Sequence, residues 1–167
     1  MNPGAATVPR WVVLLTAAFL VQVALLGQVS VLGVHPEVML LFAIAAGLVA
    51  GPERGAGVGF AAGVLVDLTL HGTFGLSALA YTVTGFLVGS VKEAVPRISQ
   101  LLALVVALVA SAVGVLLYAT VAHLLGEHTL SDPGLTRIVA IVSLWNAALC
   151  LPVVWLCRRA EGARSAF

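Results

Sequence analysis

Residues 55–79 read GAGVGFAAGVLVDLTLHGTFGLSAL, setting one carboxylate, Asp67, among four-spaced glycines in an otherwise apolar stretch. In hydrocarbon, an ionised aspartate and a run of helix-weakening glycines are both unfavourable unless a packed interior satisfies them. Something must therefore pack against this face. The whole chain of 167 residues points to the same solvent: 61% of it is apolar, 9% is charged, and the mean hydropathy is +1.14. Globular proteins carry about 25% charged residues, so too few polar side chains exist here to coat a water-facing surface. The expected class is an all-α integral membrane protein in a lipid bilayer. A net charge of +1 without a basic tract gives no sign of nucleic-acid binding.

Charge and turn residues divide the chain into six apolar segments, covering 11–34, 36–50, 55–70, 74–91, 98–125 and 135–157. Pro36, Gly51-Pro52, His71-Gly72, Pro96 and Asp132-Pro133-Gly134 supply the turn and start signals between them. The expectation is a single membrane domain over residues 1–167, built as a six-transmembrane-helix bundle. The run from Trp11 to Val34 would be about 36 Å long as a helix, too long for the apolar part of a cleaved signal. It is read as a retained first span. Segments 36–50 and 55–70 fall short of the roughly 20 residues that cross a bilayer. Joined as a re-entrant hairpin they would hold Glu53 and Arg54 near the membrane middle, at a cost of about 2.5–3.5 kcal/mol for a central arginine. Two short spans with that pair at the interface are cheaper, and imply local thinning or shelter by neighbouring helices.

Six spans with the amino terminus inside place Arg10, Arg54, Lys92, Arg97, Arg158, Arg159 and Arg164 in the cytoplasm and only Arg137 outside. That is a positive-inside distribution, with both termini cytoplasmic. Trp11 and Trp155, near inner segment ends, suit interfacial anchoring. Cys150 and Cys157, about 10 Å apart along one helix, are too distant for a disulfide and read as packing groups.

Gly55, Gly59, Gly63, Asp67 and His71 follow one another at four-residue spacing, and Gly47, Gly51, Gly85 and Gly89 repeat it. Such rows let helix backbones approach closely. The groove they form receives either the protein's own helices or a helix from a partner. Asp67 reads as a structural or docking acceptor rather than a transport site, since no further ionisable group lies well inside the other spans. Ser77 lacks the surroundings of a nucleophile, with only His71 and His123 as nearby candidates for a base. His123, Glu127, His128 and Asp132 read as a solvated loop rather than a metal site.

Gly59, Phe60, Gly63 and Asp67, followed by Gly75-Leu76 and Leu79, make a pattern Gly-Phe-x-x-Gly-x-x-x-Asp. It resembles the signature of the family of the rod shape-determining protein MreD. Pro36, Leu40-Leu41 and the glycine-rich turn at Gly51 agree, as do the length and six-span layout, so the resemblance covers essentially the whole chain. It implies a non-enzymatic scaffold of the bacterial cell-elongation machinery in the cytoplasmic (inner) membrane, with no cofactor. The implied partners are MreC, then the glycosyltransferase RodA and its class B penicillin-binding protein, directly or through MreC. In hosts that have it, MreB joins them. Gly55, Gly59, Phe60, Gly63, Asp67 and Gly75 are the expected partner-binding or helix-packing residues. The family's fold also resembles the substrate-binding subunit of energy-coupling-factor vitamin transporters, which supplies the alternative function. That alternative requires a pocket near the outer face, where His35, Glu37, Asp67, His71 and the Glu127–Asp132 loop offer little for a polar ligand.

Overall fold

The computed structural model describes residues 7–24, 34, 36–69, 73–95, 98–127, 129 and 133–162. His35, His71, Gly72, Pro96, Arg97, His128, Asp132 and Arg164, all used in the sequence reading, lie outside the described residues. Among the described residues, six helices make up an all-α membrane bundle: α1 (Thr7–Ala24), α2 (Val38–Ala50), α3 (Pro52–Asp67), α4 (Leu76–Ala94), α5 (Gln100–Leu124) and α6 (Leu135–Glu161). By length and composition α1, α5 and α6 can each cross a membrane, and α2 is a shorter apolar helix. Helix α1 begins four residues before Trp11 and is described only to Ala24, well short of the apolar run's end at Val34.

Helix α2 is the centre of the bundle. Its sequence, VMLLFAIAAGLVA, has no polar face to turn outward, and every residue from Val38 to Leu48 is buried. A helix apolar on all sides belongs in the interior, and α2 touches each of the other five helices. Its 13 residues rise about 20 Å, well under the hydrocarbon thickness of about 30 Å. Neighbouring helices shelter the short element, which is one of the two remedies its length implied.

The turn after α2 is set by two residues. Gly51, at φ 88, ends α2 in a backbone region that favours glycine, and Pro52 opens α3 at a position where its missing N–H costs nothing. Glu53 and Arg54 then stand at an end of the bundle, beside the start of α1 and the end of α6. Glu161 joins these elements: one carboxylate oxygen accepts from the Trp11 indole N–H at 2.6 Å, and the other lies 3.6 Å from the Arg54 guanidinium. Trp11 is therefore buried inside this clamp and does not face the membrane interface as the sequence suggested. Trp155 does stand outward, with the Arg159 guanidinium stacked 4.0 Å from its ring centre.

Several hydroxyls along the helices are settled locally. The hydroxyls of Thr16, Thr82, Thr84, Ser90 and Thr120 each donate to the carbonyl four residues back. Between α5 and α6, the Asn146 amide donates to Ser111 Oγ at 2.9 Å, and the buried Cys150 thiol donates to the Ala103 carbonyl. At the end opposite Glu161, the Tyr81 hydroxyl on α4 donates to Glu37 at 3.2 Å, and Thr73 donates to Glu127 at 3.1 Å.

Because Trp11 is buried and its N–H relies on Glu161, replacing Glu161 with alanine should destabilise the protein by about 1–3 kcal/mol. Glu161→Gln keeps a carbonyl acceptor and should recover most of that loss. Thermal melting of the two purified variants in detergent checks this; equal melting points would show that the clamp contributes nothing.

Candidate functional site at the α3–α4 interface

The glycines of α3 are spent on α4. A Cβ built on Gly55 would meet the Gly85 carbonyl, on Gly59 the Tyr81 carbonyl, and on Gly63 the Ser77–Ala78 backbone. All these approaches are under 3.0 Å, closer than side chains allow, so the two helices touch backbone to backbone. As α3 advances from Gly55 to Gly63, the facing residue on α4 retreats from Gly85 to Ala78, which is the register of an antiparallel hairpin. From the α4 side, Gly89 faces the Gly51–Pro52 backbone in the same way. Gly47 of α2 completes the junction, since a Cβ there would lie 2.6 Å from the Gly85 carbonyl. In lipid there is no hydrophobic force between helices, so such close packing supplies the association energy.

Asp67 closes this hairpin at its far end. It is the last residue of α3, 6% exposed, and its carboxylate meets the start of α4. Oδ2 accepts from the backbone N–H of Gly75 at 2.9 Å and of Ala78 at 3.1 Å, while Oδ1 accepts from that of Ser77 at 3.1 Å. The first N–H groups of any helix lack partners within it, and the helix dipole favours negative charge there. A residue at the capping position normally supplies the acceptor. Here that position is Gly75, with no side chain and φ 98, so Asp67 does the work from the neighbouring helix. Nothing lies within 4 Å of a Cβ on Gly75, so its demand for glycine is conformational rather than steric.

Five of the six expected site residues, Gly55, Gly59, Gly63, Asp67 and Gly75, thus meet in one interface. Of the two occupants the sequence left open for this face, α4 of the same chain fills it. Phe60 is the exception. One residue on from Gly59 is about 100° further round the helix, and Phe60 is 57% exposed. Residues on the α4 side of the interface, Ser77, Ala78 and Tyr81, were not foreseen; the second glycine pair, Gly85 and Gly89, carried the available signal. His123 and Glu127 were read as part of a solvated loop; His123 is exposed, and the half-buried Glu127 accepts from Thr73. Among the described residues, no three His, Cys, Asp or Glu side chains gather as metal ligands would.

Substitutions here should damage folding, each in its own measure. Gly63→Leu drives a side chain into the α4 backbone and should cost about 3 kcal/mol or more. Asp67→Ala leaves three N–H groups unpaired and should cost a similar amount, about 3 kcal/mol, whereas Asp67→Asn keeps one acceptor oxygen and should lose roughly half of that. Gly75→Ala should cost only about 1–2 kcal/mol, the strain of a left-handed backbone. Melting of the purified variants ranks them, and an Asp67→Ala protein as stable as the parent would sink the capping account.

Among the curated proteins and among the solved structures, nothing matches this chain. The family model of the rod shape-determining protein MreD matches residues 6–160, from just before α1 almost to the end of α6. With the glycine row, Asp67 and Gly75 all inside that matched range, the chain belongs to the MreD family.

Proposed function

We propose that this membrane protein, whose family has its role in rod-shape determination, acts there as a non-enzymatic scaffold. In this reading it is a multi-pass protein of the bacterial cytoplasmic membrane with both termini in the cytoplasm. It binds MreC and so helps organise peptidoglycan synthesis by RodA and a class B penicillin-binding protein. MreB filaments, in hosts that have them, would lie on its cytoplasmic side. Charge supports the orientation: Arg10, Arg54, Lys92, Arg158 and Arg159 stand at one end of the helices, and Arg137 is at the start of α6.

Phe60 carries the scaffold reading. It stands within the signature between two glycines that pack inside the protein, yet its own ring points out of the bundle. Around it, the close-packed α3–α4 hairpin gives a rigid backing. A large aromatic on a fixed surface is the kind of group that anchors a partner. The membrane span of MreC is the proposed partner for that ring, lying along the outer face of α3.

Affinity purification of the tagged protein from its host in mild detergent tests this. MreC, RodA and the penicillin-binding protein should be recovered with it. Phe60→Ala should lower MreC recovery about ten-fold, equivalent to about 1.4 kcal/mol, with melting unchanged. Undiminished recovery with Phe60→Ala would remove Phe60 from the interface. Recovery of a transmembrane coupling subunit with paired ATPases, or tight binding of a vitamin, would make the chain a transporter's binding subunit instead.

A further inference from the structure

The start of α1 and the end of α6 enclose a shallow groove of about 500 Å³ at the arginine-rich end of the bundle. Two arginines stand at it, Arg10 in the first turn of α1 and Arg159 in the last turn of α6. The remainder of its lining is almost wholly apolar, with Val13, Leu14, Ala17 and Leu156 among it. Val13 is 69% exposed and Leu156 37%, so the groove opens on the apolar outer surface of the bundle.

Both arginines are exposed at the mouth of the groove. Arg159 stacks on the Trp155 ring at 4.0 Å. Arg10 lies over the C-terminal end of α6, where a Cβ on Gly162 would come 3.4 Å from its Nη1. Neither arginine has a carboxylate partner among the described residues. The neighbouring cavity, lined by Trp11, Glu53, Arg54 and Glu161, differs on this point, since its arginine is already paired with Glu161 and a second carboxylate stands beside it. An anion is therefore favoured in the first groove and opposed in the second.

We infer that the groove between α1 and α6 binds an anionic phospholipid, with Arg10 and Arg159 on its phosphate and one acyl chain along Val13, Leu14, Ala17 and Leu156. Two cations at the arginine-rich end of an apolar channel match the two chemical halves of a lipid, and basic recesses between membrane helices are known to take such headgroups. This assignment is independent of the scaffold reading and holds whichever partners the protein has.

The test is native mass spectrometry of the full, delipidated chain given equal amounts of dioleoylphosphatidylglycerol and dioleoylphosphatidylcholine. The parent should retain one phosphatidylglycerol with about ten-fold preference, in line with two surface cations acting together. R10Q/R159Q should lose that preference, while K92Q, which removes a cation at the same end on α4, should keep it. Ala17→Trp fills the groove without changing charge and should also abolish retention, so the inference stays testable if the double variant does not fold. Soluble glycerol phosphate at matching concentration should fail to displace the lipid. The inference is overturned by preference surviving in R10Q/R159Q, by equal loss in K92Q, by undiminished retention in Ala17→Trp, or by displacement with glycerol phosphate, which would indicate a simple phosphate site.

Discussion

A helix that begins inside a membrane protein needs partners for its first N–H groups, and α4 finds them on Asp67. The capping residue of α4 is a glycine and cannot provide one. The acceptor comes instead from the end of α3, eight to eleven residues earlier in the chain. That single carboxylate fixes how far α4 is displaced along α3, and the register in turn decides which residues face one another. Gly55 opposite Gly85 and Gly59 opposite Tyr81 follow from it. The glycines then allow the approach that the carboxylate aligns. Neither feature suffices alone: glycines without a fixed register would slide, and a cap without glycines would hold the helices too far apart for their backbones to touch.

The hairpin made in this way supports the packing of α2. Gly47 meets α4 where Gly85 and Gly89 leave room, so α2, α3 and α4 share one junction. From there α2 is enclosed by α1, α5 and α6 as well. The long outer helices carry apolar side chains on their exposed surfaces, including Val12, Leu20, Val105, Val109 and Leu144. The short, featureless one sits where no lipid needs to match its length. A bundle with a stubby core and long walls is thus a consistent answer to the uneven segment lengths.

Much of this was legible in the sequence, and particular residues show where legibility stopped. Four-residue glycine spacing announces a close helix contact, and an aspartate without a charged partner announces a hydrogen-bonded interior; both features lie at the α3–α4 interface. The spacing could not name the occupant of the groove, because one helix of this chain and one of a partner present the same surface to a glycine row. Trp11 illustrates a second limit. A tryptophan near a segment end suits the membrane interface on general grounds, but its burial here depends on Glu161, 150 positions away in sequence. Asp67 showed its importance through its oddness, while its role depended on the left-handed turn at Gly75, which becomes visible only once the chain direction is known. Phe60 had the reverse fate. It is prominent in the motif, yet its direction follows from a 100° rotation relative to Gly59.

The burial of α2 has a consequence for biosynthesis. A chain enters the membrane from its amino terminus, so α2 emerges before α4, α5 and α6 exist to cover it. For that interval its surroundings are lipid tails, and only later are they replaced by protein side chains. The sequence VMLLFAIAAGLVA is acceptable to both environments because it offers neither of them a polar group. An α2 carrying an internal hydrogen-bonding residue could have gained specificity in the finished bundle, but it would have left that residue unpartnered in hydrocarbon during assembly. The blandness of the central helix is therefore a property of the order in which the protein is made, as much as of the place α2 finally occupies.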